Sequence, residues 1–126
     1  MSFFESALKL EAEELRKIQK EYAECVNQRG TLEAQLMENE IVKQELDFVK
    51  DEDNDKVFKL VGPVLVSQEL AEAKDTVAKR IDYIKKEVER QTKLGQDLEV
   101  QLNEKRDKIQ QMQAQATKTA SAPAKA

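Results

Sequence analysis

Along most of the chain, apolar side chains recur every three or four positions within strongly charged sequence. Counting from Leu8, the first run passes through Glu11, Leu15, Ile18, Tyr22, Cys25, Arg29, Leu32, Leu36, Asn39, Lys43 and Leu46, a seam interrupted by its polar members. A second run passes through Leu70, Lys74, Val77, Ile81, Ile84, Val88, Gln91, Gly95, Leu98, Leu102, Lys105, Ile109 and Met112, broken at Lys74, Gln91, Gly95 and Lys105. A sustained three-four spacing on long charged segments is the signature of a coiled coil. The pattern predicts one helix over about 3–53 and another over 68–116, the second capped by Ser67, whose hydroxyl can accept from a free first-turn amide. Gly30 falls inside the first helix, where it marks a bend or a close contact.

Between the helices the pattern changes. Lys56-Val-Phe-Lys-Leu-Val-Gly-Pro-Val-Leu-Val-Ser67 has β-branched and aromatic residues on both sides of Gly62-Pro63, which reads as strand, turn, strand over 56–66. Two short strands are marginal in water, and here nearly every position is apolar, so both faces and both edges need partners. Apart from the roots of its own helices, the chain has nothing to cover them. The residues Val57, Phe58, Leu60, Val61, Val64, Leu65 and Val66 are therefore expected to meet strands from other chains. A hydrophobic loop that only joins two helices is the plainer alternative, but it is longer and more apolar than that task requires.

If Val57 pairs with Val66, the two helices run antiparallel, with Leu46 near Val77, Leu36 near Val88 and Ile18 near Lys105. Glu11, Glu13 and Glu14 then face Lys105, Arg106 and Lys108, and Glu38 and Glu40 face Lys85, Lys86 and Arg80. Opposite charges meet at two heights. The fold class that follows is mainly α: a long antiparallel two-helix coiled coil joined by a single short β-hairpin, with one domain over 1–116. The Ala-rich stretch 117–126 lacks the seam and is expected to be a disordered tail.

Composition narrows the function. Charged residues make up 37% of the chain and aromatics 5%, which suits long helices packed lengthwise more than a globular core. A net charge of −4 with both signs interspersed gives no basic stripe for nucleic acid. No apolar run is long enough to span a bilayer, and the mixed-sign faces do not suit a membrane surface, so no membrane partner is expected. With one cysteine and no histidine, no metal or cofactor is expected either. Cys25 reads as a small seam residue. A two-helix arrangement offers no concave site for catalysis. What remains is binding by surfaces. Phe3 and Phe4 at the start of the first helix, with Leu8 and, from the end of the second, Ile109 and Met112, form either an internal plug or an exposed apolar patch for other proteins.

The hairpin Val57-Phe-Lys-Leu-Val-Gly-Pro-Val-Leu-Val66, followed by Gln68-Glu-Leu-Ala-Glu-Ala73 and Lys79-Arg-Ile-Asp-Tyr-Ile84, resembles the β-type subunits of prefoldin. The likeness extends to about Ala116. It implies a hairpin that completes an intersubunit β-barrel in a heterohexamer with two α-type and three further β-type subunits. It also implies helix tips that hold unfolded actin and tubulin without ATP and pass them to the cytosolic group II chaperonin. A cytoplasmic location, with nuclear presence left open, goes with that role. The alternative is a structural coiled-coil tether or a scaffold subunit of a prefoldin-like complex.

Overall fold

The computed structural model describes residues 2–120. In chain order they form helix α1 (Phe3–Asp47), a short 3-10 turn (Asp51–Lys56), strands β1 (Phe58–Val61) and β2 (Val64–Ser67), and helix α2 (Leu70–Ala120). The chain folds as two compact units, one from Met1–Asn27 with Gln91–Ala126 and the other from Gln28–Arg90.

α1 starts on a serine cap. The Ser2 hydroxyl accepts from the Glu5 amide at 3.1 Å, and the Ser2 carbonyl takes the first helical bond from Ser6. The helix stops at Asp47, short of the expected Asp53. Its last turn carries no basic residue, and the next seven positions hold Asp51, Glu52 and Asp53, which oppose the negative end of the helix dipole. The chain instead tightens through Phe48 and Val49 amides donated to Glu45 and Leu46, and then makes the 3-10 turn.

In the Gln28–Arg90 unit the buried apolar side chains are Leu32 of α1 and Leu70, Ala73, Val77, Ile81 and Ile84 of α2. Val57 belongs to this core, packed with Leu70, Ala73, Leu46 and Val49. It had been expected among the residues offered to other chains, but it lies before β1 and is 8% exposed. Ala73 is buried where the spacing had placed Lys74, which is half-buried and reaches Asp47 at 4.0 Å. Asn39 sits half-buried in the seam and satisfies itself by donating to the Gln35 carbonyl of its own helix. Arg29 and Lys43, the other polar members, turn out to solvent. Nothing lies within 4 Å of the Cβ position of Gly30, so it marks no close contact.

In the other unit, Cys25, Leu98 and Leu102 are buried, with Gln91 beside them. The Cys25 thiol donates to the Gln91 carbonyl at 3.1 Å. Gly95 lies against the same sulfur, where a Cβ would stand 3.5 Å away. Cys25 is thus a small, hydrogen-bonded packing residue.

Ser67 does not cap α2. It ends β2, and the Leu70 amide is instead taken by the Asn54 side-chain oxygen from the 3-10 turn. The short turn before the hairpin therefore closes the helix start that follows it. α2 then continues to Ala120, four residues into the stretch expected to be a disordered tail. Alanine and glutamine at 113–116 are strong helix formers, and nothing before Ala120 breaks the helix. Residues 121–126 lie outside the described part.

Candidate functional site

The hairpin pairs Phe58 with Ser67, Lys59 with Val66, Leu60 with Leu65 and Val61 with Val64. This register is shifted by two residues from the expected pairing of Val57 with Val66. The cause is the turn. Gly62 at φ 60 occupies the first central position of a two-residue loop, and Pro63, with no N–H to give to a ladder, occupies the second. No described peptide bond is cis, so Pro63 is trans. Because the shift is even, no side chain changes face. The Gln68 amide donates to the Val57 carbonyl at 2.9 Å and carries the pairing one step toward the helices.

Opposed residues share a face, so Phe58, Leu60 and Leu65 project from one side of the ribbon and Val61, Val64 and Val66 from the other. All six are exposed, Leu60 most at 69% and Val66 least at 39%. Full burial of such a side chain is worth about 1.5–3 kcal/mol. The sheet has only these two strands, so each strand also has an outer edge with unpaired backbone groups among the described residues. Beside one face lies a groove of about 480 Å³, lined by Val42, Leu46, Leu60 and Val77 and edged by Glu72 and Arg80.

The other expected site residues lie in the unit of Met1–Asn27 and Gln91–Ala126. Phe3 is 91% exposed, while Phe4, Leu8, Ile109 and Met112 are half-buried. Phe3 is therefore not a plug. Leu10, seven residues on and on the same face of α1 as Phe3, is 60% exposed; the heptad spacing from Phe3 was the signal for it, and this face points away from the seam side that carries Leu8. Below it a set of ion pairs clamps the two helices. Lys105 reaches Glu11 at 2.7 Å and Glu14 at 2.6 Å, and Lys108 reaches Glu11 at 2.8 Å. Hydrogen bonds from Lys105 and Lys108 hold the Glu11 carboxyl below its usual range, and Glu11 with Glu14 raises Lys105. Of the charges expected at this height Glu11, Glu14, Lys105 and Lys108 meet, whereas among the described residues Glu13 and Arg106 form no ion pair. At the other height the expected meeting does not form: among the described residues Glu38 and Glu40 form no ion pair with Lys85, Lys86 or Arg80, and Lys86 pairs with Asp82 of its own helix.

Among the described residues, no three Cys, Asp or Glu side chains converge as metal ligands, and no helix is long and apolar enough to cross a membrane.

The architecture matches a solved structure, the prefoldin beta subunit from Thermococcus strain KS-1, with a TM-score of 0.56 over 93% of this chain and 95% of that one at 19% identity. In sequence, the chain is 46% identical to human Prefoldin subunit 6 over 121 residues, covering 92% of each. It is 44% identical to Prefoldin subunit 6 of Arabidopsis thaliana over 106 residues, 84% of this chain and 81% of that one. Residues 10–116 match the prefoldin subunit family model. Two long helices joined by one open hairpin, and relatives that share the chain almost from end to end, give one conclusion: the chain belongs to the prefoldin subunit family.

Proposed function

We propose that the chain is an ATP-independent holdase subunit of a heterohexamer with two α-type and three further β-type prefoldin subunits. In this role it binds unfolded proteins such as actin and tubulin and releases them to the cytosolic group II chaperonin. The observation that carries the reading is the hairpin. Six apolar side chains stand exposed on its two faces, and both strand edges are open, which is the surface of a sheet awaiting strands from neighbours. Phe58, Leu60, Val61, Val64, Leu65 and Val66 make the assembly contact. Phe3, Phe4, Leu8, Ile109 and Met112 form the client surface, where flexible Met112 and exposed Phe3 suit a partner with no fixed shape. No ATP is needed, because capture relies on burial of apolar surface alone. The protein works in the cytoplasm, where its clients are made.

The test is suppression of aggregation of denatured actin by the assembled complex. Removing Phe3–Leu8 together with 109–126 should weaken suppression while the mass of the complex stays that of a hexamer. Full suppression after both truncations would overturn the client assignment. Stable stoichiometric capture of one folded protein, without chaperonin, would instead mark the chain as a tether.

A further inference from the structure

α1 carries a second heptad stripe that the coiled-coil seam does not use. Ala34, Met37 and Ile41, with Phe48 in the turn just after the helix, follow the three-four spacing, Gln44 being the one polar member of the series. On a helix of about 3.6 residues per turn they lie roughly half a turn away from Leu32, Leu36 and Leu46, on the back of the helix. Met37 is 65% exposed, Ile41 50% and Phe48 85%, so this face is uncovered. Solvent-facing positions of a paired helix are normally polar, and a repeat of apolar ones is the pattern by which helices recognise helices.

The flanks specify the occupant. On one side of the stripe stand Glu33, Glu40 and Asp47, on the other Glu38 and Glu45, and all five are exposed. Every position that would lie beside an incoming helix is thus a carboxylate. Glu33 is held by Arg29 and Asp47 reaches Lys74, but Glu38, Glu40 and Glu45 form no ion pair among the described residues. Flanking charges of this kind set partner choice in coiled coils. A second copy of the same stripe is disfavoured by repulsion.

We infer that the back of α1, from Ala34 to Phe48, docks an amphipathic helix of a separate protein whose apolar heptad positions are flanked by lysine or arginine. Two heptads of contact make a small interface, suited to reversible docking on the assembled complex more than to permanent assembly. The inference uses the complex but not client capture, so the two can fail separately.

The experiment uses the assembled complex, its mass checked first. A labelled synthetic peptide of about three heptads, with leucine at the apolar positions and lysine at the flanks, is titrated by fluorescence anisotropy beside a glutamate-flanked counterpart. The lysine peptide should bind roughly tenfold tighter, as several surface ion pairs together would give, and should weaken as salt rises. Met37→Glu with Ile41→Glu should abolish binding at unchanged complex mass. Glu38→Lys, Glu40→Lys and Glu45→Lys together should reverse the preference between the peptides. Removing Phe3–Leu8 should leave binding intact. Equal binding of both peptides, or binding that survives Met37→Glu with Ile41→Glu, would overturn the inference. So would loss of the complex in that variant, which would place the stripe inside the assembly.

Discussion

At the scale of single residues, Asn54 has the most to do for its size. Its side chain, sixteen positions before Leu70, takes a helix-start amide that the local sequence leaves open. Leu70 is 5% exposed, so water cannot easily replace that acceptor. Asn54→Ala should lower stability by about 1–2 kcal/mol, the cost of a lost cap plus an amide left unpaired, read as a shift in the denaturation midpoint. Gly30 works the other way. A methyl group at this position meets nothing within 4 Å, and glycine in a helix costs about 1 kcal/mol relative to alanine. Gly30→Ala should therefore raise stability by about that amount in the same assay. Sequence alone could find Gly30 but not Asn54, because a cap supplied from another element leaves no mark near the helix it caps. Ser67 was the natural candidate for that reason.

Among the elements, the helices and the hairpin were legible because each has its own period. The seam of α2 was read closely: Leu70, Val77, Ile81, Ile84, Leu98 and Leu102 are all buried, and Lys105, Ile109 and Met112 half-buried. The boundaries were less so. α1 ends six residues early because acidic residues gather where its carbonyls point, an effect that periodicity does not record. Val57 reads as strand by composition, yet it is buried among Leu70 and Ala73, and only the register fixed by Gly62 and Pro63 shows that it precedes β1. The apolar back of α1 is hidden in the sequence because the seam alone suffices to explain the helix. The clamp at Glu11 makes a pH prediction for the unit that holds the termini. Its carboxyl lies below the ordinary value of 4.5, so its contribution is present above that pH and is lost as pH falls through the lowered value. Lys105, raised above 10.5, contributes below that pH and loses its contribution as pH climbs past the raised value. Protection of the amides of residues 3–20, measured against their intrinsic exchange rates at each pH, should fall in acid below about pH 4.5, and Glu11→Gln should remove that acid dependence.

For the whole molecule, the balance of surfaces matters more than any core. Many of the exposed apolar groups stand on the hairpin, on the back of α1 and at Phe3 and Leu10, while Val26, Tyr83, Leu94 and Val100 are exposed singly. Charged residues make up 37% of the chain around these surfaces. Among the described residues the sheet has only two strands, so no third strand of this chain pairs with either outer edge. The most direct measurement is hydrogen exchange at the amides of Phe58–Ser67, followed first in the chain alone and then after mixing with partner prefoldin subunits. Outer-edge amides should exchange quickly in the isolated chain and become strongly protected on mixing, in step with the appearance of the hexamer mass. Slow exchange of those amides in a lone monomer, unchanged by the partners, would contradict the account.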